Sequence, residues 1–179
     1  MASGRQPSPH QPFPQQGFTL IELLVVLVLL AGLAVGGFFV VHQKMLARRC
    51  AANLHRIYSA LEMYEIDHGT LPRLAFFPDD PKQDNDSLAV VLQPYGAGGE
   101  VCVCPAAPAY HGSLGLTYLW NVQLNGKKLH PPGPATWMLV ELNALSDQLP
   151  PPHLGRYNIL YTDGQVRRSK IPPPDLRGP

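Results

Sequence analysis

Between Glu22 and Lys44 the chain has no charged side chain, and the 19 residues from Leu23 to Val41 are all apolar or small. Nineteen residues of helix at 1.5 Å each cover about 28 Å, close to the roughly 30 Å of a bilayer's hydrocarbon core. Proline is also missing from Phe18 to Leu71, so nothing in that stretch breaks a helix. The net charge is only +1, which gives no electrostatic case for nucleic acid or an acidic partner. No Gly-x-Ser-x-Gly nucleophile elbow and no phosphate-binding glycine loop occurs, so the residues supply no basis for an enzyme. There is no internal repeat. Cysteine is scarce, with Cys50, Cys102 and Cys104 all following the apolar run. If that part is exported, one disulfide and one free thiol is the simplest count.

Proline, by contrast, is abundant elsewhere, 20 in 179 residues, which implies long irregular connections. Residues 1–17 are rich in Pro, Gln and Ser with Arg5 as their one cation, and no packed structure is expected there. The apolar run that follows exceeds the 7–15 residues usual for a secretory signal core. Beyond it, Leu46, Cys50, Leu54, Ile57, Leu61 and Tyr64 recur in steps of three and four, one face of an amphipathic helix. Gly69 offers a left-handed stop and Pro72 follows. The spacing therefore predicts one helix from Phe18 to His68, 51 residues and about 76 Å long. Its first half would lie in a membrane and its second half on a soluble domain.

Residues 72–116 read as loops, with turns at Asp79-Asp80-Pro81 and Gln83–Asp86, a short helix over Leu88–Leu92 capped by Ser87, and a flexible Gly96–Gly99 turn. Leu116–Val122 and Trp137–Leu142 read as strands. Tyr157–Thr162, Asp163-Gly164 and Gln165–Arg168 form the clearest hairpin, and Asp-Gly suits a type I′ turn. The Pro-rich tail over 172–179 is expected to be disordered. The fold class is α+β: a long N-terminal helix on a small antiparallel sheet. Its segments are 1–17, the membrane half 18–41, the amphipathic half 42–71, the loop-rich and β-sheet domain 72–171, and the tail.

Glu22 is the residue least at home in this scheme. A carboxylate at mid-depth in a bilayer costs roughly 2.5–3.5 kcal/mol or more. No side chain of the chain is expected to partner it.

The run Gly17-Phe18-Thr19-Leu20-Ile21-Glu22 at the head of an apolar helix closely resembles the processing site of type IV pilins and type II secretion pseudopilins. The resemblance implies a pilin-like fold and cleavage of leader 1–17 by a prepilin peptidase between Gly17 and Phe18. It also implies N-methylation of Phe18, with Glu22 neutralising the Phe18 amine of a neighbouring subunit. Such a pair attracts strongly in low dielectric, and either charge alone is costly there. Gly32 and Gly36 form a Gly-xxx-Gly pair that lets helices approach closely during assembly. In the leader, Gln15-Gln16 stands where the family usually has Lys or Arg before the glycine.

One group within this family carries a C-terminal His, nine residues, then Asp-Gly. Here these are His153, Asp163 and Gly164, and Cys104-Pro105 resembles that group as well. A Cys102–Cys104 ring would be strained. A Cys50–Cys104 bridge would staple the loops to the helix, and it agrees with the group's cysteine pattern. A Cys-x-Cys zinc site is not expected, because no second ligand pair stands at zinc-like spacing. His153, Asp163 and Glu141 are candidates to meet in space. Glu141 and Asp163 are weak calcium candidates, calcium being the one cofactor the resemblance allows; yet calcium wants six to eight oxygens and carboxylates are few here. Lys44, Arg48 and Arg49 beyond the apolar run would by charge alone hold the C-terminal domain in the cytoplasm. The resemblance implies the opposite: a single-pass protein of the inner membrane with its C-terminal domain periplasmic or extracellular. The implied partners are like subunits, prepilin peptidase, an inner-membrane assembly platform and ATPase, and the lipid bilayer. The competing class is a membrane-anchored periplasmic binding module that is processed but does not polymerise.

Overall fold

The structure, a computed structural model, describes residue 17, residues 19–130 and residues 132–176. The leader residues 1–16 and Phe18, on which the cleavage and methylation expectations fall, lie outside the described residues. The chain divides into two compact units, Met1–Phe39 and Val40–Pro179.

Helix α1 covers Leu20–His68, 49 residues, and ends as the spacing predicts. Gly69 takes φ 79° and its N–H donates to the Glu65 carbonyl at 2.7 Å, closing the last turn in the left-handed conformation that glycine tolerates best. In the first unit every large apolar side chain from Leu20 to Phe39 is at least 45% exposed. A helix apolar on all sides and covered by none of the described residues suits a bilayer, and this one is long and apolar enough to cross one.

In the second unit α1 shows the expected stripe. Cys50, Leu54, Ile57 and Leu61 are fully buried, with Ala47, Tyr58 and Ala60 widening it. Leu46 and Tyr64, at its ends, are only half-buried. Against this stripe lies a four-stranded antiparallel sheet in the order β1-β2-β3-β4, made of β1 Tyr118–Trp120, β2 Trp137–Glu141, β3 Tyr157–Tyr161 and β4 Val166–Ser169. Each strand follows its neighbour in sequence, so short connections suffice. Tyr118 pairs with Glu141 and Trp120 with Leu139. A bulge between Trp137 and Leu139 lets the adjacent Met138 and Leu139 both enter the helix-side core.

The sheet is covered on its other face too. Leu119, Val140, Tyr157 and Ile159 form a second cluster with Trp137, Ala144 and Leu176. Leu176 belongs to the segment expected to be a disordered tail, yet it is 7% exposed and caps this cluster; residues 177–179 lie outside the described residues. The loops between α1 and β1 are tied down at named points. The Trp120 N–H donates to the Phe76 carbonyl, covering part of the free edge of β1. Asn125 clamps Leu74 through both its side-chain atoms and accepts from the Trp120 indole N–H.

Two local expectations are corrected. Ser87 precedes the short helix α2, Leu88–Val91, but does not cap it with its side chain. Its buried hydroxyl instead donates to the Pro81 carbonyl at 2.6 Å, pinning the preceding turn. The hairpin between β3 and β4 is present, but its turn is not type I′. Type I′ requires positive φ at both central residues. Only Gly164, at φ 75°, is left-handed, and Asp163 is not. Gly164 N–H donates to the Tyr161 carbonyl and Tyr161 N–H to the Gln165 carbonyl, at 2.9 and 3.0 Å. That is the pattern of a three-residue loop ending in a glycine bulge, which Asp-Gly serves equally well.

Candidate functional site

The head of α1 is built from Thr19 and Glu22. Thr19 N–H and Thr19 Oγ1 both donate to Glu22 Oε2 at 2.8 Å, and Glu22 N–H returns a bond to Thr19 Oγ1 at 3.3 Å. This is a reciprocal capping box, in which a hydroxyl residue and a glutamate three positions on satisfy each other's backbone donors at a helix start. The expectation that Glu22 finds no partner within its own chain is therefore corrected. The signal was present as Thr-x-x-Glu before an apolar run. Both Thr19 bonds fall on Oε2, so Oε1 can accept from another group. Gly32 and Gly36 sit one turn apart on the exposed helix, and among the described residues nothing beyond the helix's own neighbours lies within 4 Å of where their Cβ atoms would be.

The second constellation lies in the interior of the Val40–Pro179 unit. Cys50 on α1, Cys104 in the loop before β1, Glu141 at the end of β2 and His153 in the loop before β3 meet in one buried cluster. One ligand-type atom from each, two Sγ, a carboxylate oxygen and an imidazole nitrogen, lies within 4.8 Å of all the others. His153 Nε2 is 3.1 Å from Glu141 Oε1, and both side chains are at most 2% exposed. Cys50 Sγ donates to Glu141 Oε1 at 3.4 Å, and Cys104 Sγ lies 3.4 Å from His153 Nε2.

A second ring of contacts fixes these groups. The Asn158 backbone N–H donates to both Glu141 oxygens at 3.0 Å. The Tyr118 hydroxyl lies 3.4 Å from Cys50 Sγ. Cys104 N–H donates to Thr117 Oγ1 at 2.6 Å, and Arg168 Nη2 donates to the His153 carbonyl at 2.9 Å. Burial pushes the Cys50 thiol well up from its ordinary value. Burial works to lower the His153 imidazole, but its contacts with Cys50 and Glu141 outweigh that and hold it raised, at about 9.

The structure sorts the residues singled out in the sequence. Cys50 and Cys104 come together as expected, but as free thiols, and the bridge expected between them is not formed. They share their pocket with Glu141 and His153 instead. Cys102 points elsewhere, its thiol donating to the Ala97 carbonyl at 3.0 Å. His153 and Glu141 meet; Asp163 does not join them. Its carboxylate is engaged by the Arg167 guanidinium and by the Gln165 N–H, in the exposed hairpin loop. The Glu141–Asp163 pairing for calcium is thereby corrected: the two serve separate places.

The His…Asp-Gly motif nevertheless has one structural theme, the docking of the β3–β4 region onto α1. His153 reaches Cys104 and Glu141 beside Cys50 of α1. Gly164 lies under Tyr58 of α1, where an added Cβ would come within 3.0 Å of the ring, and the Tyr58 hydroxyl donates to the Thr162 carbonyl at 3.2 Å. Gly164→Ala is expected to cost about 1–2 kcal/mol from its left-handed backbone alone, and more from the Tyr58 contact. Urea unfolding followed by the buried Trp120 and Trp137 should show a lower midpoint with an unchanged slope.

A helix that is exposed and apolar through its first half and lies through its second half on a four-stranded antiparallel sheet is a pilin-like α+β architecture. A family profile described as Prokaryotic N-terminal methylation motif matches residues 13–38, which include Gly17, the capping box and both glycines of the helix pair. No curated protein and no solved structure matches the chain. The chain thus carries a prepilin-type N-terminal segment, as expected of a pilin-like, membrane-anchored structural protein that is processed by prepilin peptidase and assembles with like subunits.

Proposed function

We propose that this chain is a structural subunit of a filament of the type II secretion pseudopilus or type IV pilus kind. It is held in the inner membrane by the apolar half of α1, with its sheet domain outside the cytoplasm. An assembly platform and its ATPase draw subunits into the filament. The observation that carries the reading is the head of α1. A glutamate stands there at the start of the exposed, apolar half of α1, five residues beyond Gly17, within a prepilin-type methylation motif.

The chemistry is that of charge pairing in low dielectric. Removal of residues 1–17 creates an amine at Phe18. Thr19 orients the Glu22 carboxylate through Oε2, and Oε1 accepts from the amine of the next subunit. Neither charge is stable alone in that setting. Gly32 and Gly36 give the neighbouring helix a shallow face to lie on. Once helices cover one another, the apolar surface of Leu20–Val41 is shared between lipid and protein.

Mass spectrometry of the protein isolated from its own membrane tests the processing step. The expected N-terminus is Phe18, one methyl group heavier than the encoded residue. An intact chain beginning at Met1, in cells with an active prepilin peptidase, would overturn the proposal.

A further inference from the structure

We propose that Cys50, Cys104, Glu141 and His153 are the ligands of a structural divalent transition-metal ion of the zinc type, held tetrahedrally by two thiolates, one carboxylate oxygen and one imidazole nitrogen. The inference is independent of the filament reading.

The geometry comes first. With zinc–sulfur bonds of about 2.3 Å and zinc–nitrogen and zinc–oxygen bonds of about 2.0–2.2 Å, a tetrahedral site has edges of about 3.3–3.8 Å. The protein's donors already stand near those separations: Oε1 to Nε2 at 3.1 Å, Cys50 Sγ to Oε1 at 3.4 Å, and Cys104 Sγ to Nε2 at 3.4 Å. Every other pair among the four lies within 4.8 Å. The four donors come from four separate segments, α1, the loop before β1, the end of β2 and the loop before β3. Four side chains so distant in sequence converge on one point with their donor atoms innermost.

The donor set then selects the ion. Two sulfurs and an imidazole suit zinc and similar borderline-soft ions, whereas calcium and magnesium require shells of oxygen. All four residues are buried, which is the closed arrangement of a structural site rather than the open one of a catalytic site.

Two of the four ligands have the outer partners a metal site needs. Asn158 N–H holds both oxygens of Glu141, and the Tyr118 hydroxyl is placed to donate to the Cys50 sulfur. His153 turns Nε2 into the cluster. Its Nδ1 is buried and has no hydrogen-bond partner among the described residues. The polar contacts of the ring are therefore those it makes inside the cluster. A Cys50–Cys104 disulfide would consume both sulfurs and leave a histidine and a carboxylate buried with no further task, and burying such a pair is costly. A cation gives all four groups a common partner.

Coordination exchanges protons for the ion and moves no electrons. Each thiol loses its S–H proton, His153 gives up the proton on Nε2 and coordinates there, Glu141 coordinates as carboxylate, the released protons pass to solvent, and the ion stays divalent. The result would clamp α1 to the sheet at the buried heart of the Val40–Pro179 unit, and it would give the histidine of the His…Asp-Gly motif its role.

The test uses the untagged full-length protein in detergent, isolated without chelator or reductant. Elemental analysis is expected to find about one zinc per chain. Cobalt loaded in its place should show intense tetrahedral bands and a thiolate-to-cobalt charge-transfer band. After denaturation with chelator and no reductant, both Cys50 and Cys104 should alkylate. Cys102→Ser should keep the cobalt spectrum unchanged, since Cys102 lies outside the cluster. Tyr118→Phe, which removes only the hydroxyl beside Cys50, should weaken metal affinity about 10–100-fold. A Cys50–Cys104 disulfide in the native protein would overturn the proposal. So would the absence of a thiolate–cobalt band from protein whose two thiols are reduced.

Discussion

Glu22→Gln is expected to leave the chain inserted, cleaved and folded, and to abolish its assembly. Glutamine keeps the capping box, because Gln serves as well as Glu at the third helical position. What it removes is the charge. If Glu22 pairs with the Phe18 amine of a neighbour, the variant leaves that amine uncompensated in a low-dielectric interface, at a cost of about 3–5 kcal/mol per contact. At 1.4 kcal/mol per factor of ten, each contact weakens roughly 100-fold or more. Sheared filaments or cross-linked multimers should disappear while monomer remains. Thr19→Ala is the complementary variant. It removes the side-chain part of the cap, costs the helix about 1 kcal/mol, and leaves the carboxylate, so assembly should persist. The reverse order, with Gln tolerated and Ala not, would make Glu22 a helix cap and nothing more.

The second large effect is expected at His153. His153→Ala removes one member of a buried group and leaves Glu141 and Cys104 facing a void. Breaking a buried charged pair in this way costs about 3–5 kcal/mol. For a domain of this size that lowers the unfolding temperature by roughly 10 °C or more. Asp163 sits ten residues on in the same motif, and its behaviour should contrast. Its partner Arg167 is about half exposed, with a side chain 47% accessible, and exposed pairs are worth about 0–1 kcal/mol. The motif should therefore rank His153→Ala far above Asp163→Ala in a thermal or urea series read by tryptophan fluorescence, with Gly164→Ala between. Equal effects at His153 and Asp163 would contradict the division of labour seen in the structure.

The parts legible in the sequence were those with a short-range physical signature. The long helix announced itself by an apolar run without proline and then by steps of three and four. Gly69 marked its end because few other residues accept that backbone conformation. The hairpin was visible in Tyr157–Arg168, but its turn was not, because Asp-Gly is compatible with more than one loop geometry. Leu176 was hidden because a single apolar anchor in a Pro-rich tail has no periodicity.

The two sites differ in the same way. The capping box has a local signature, Thr19 and Glu22 three residues apart, and the same residues carry the resemblance to a processing site. The buried cluster had no local signature. Its members stand at positions 50, 104, 141 and 153, and no spacing rule links them. The resemblance pairs two of them, Cys50 and Cys104, and places the other two with Asp163. The packing of α1 on the sheet, the Cys104–Thr117 bond and the register of Glu141 opposite Tyr118 bring the four together.

In the proposed filament, like subunits pack against one another through the apolar half of α1. A photo-crosslinking residue at Leu33, which is 74% exposed and one helical turn before Gly36, tests it in the native membrane. The expected result is a ladder of multimers made of this chain alone, present with wild-type Glu22 and absent with Glu22→Gln. A single adduct to a different protein, or monomer only, in cells that process the leader normally would contradict it.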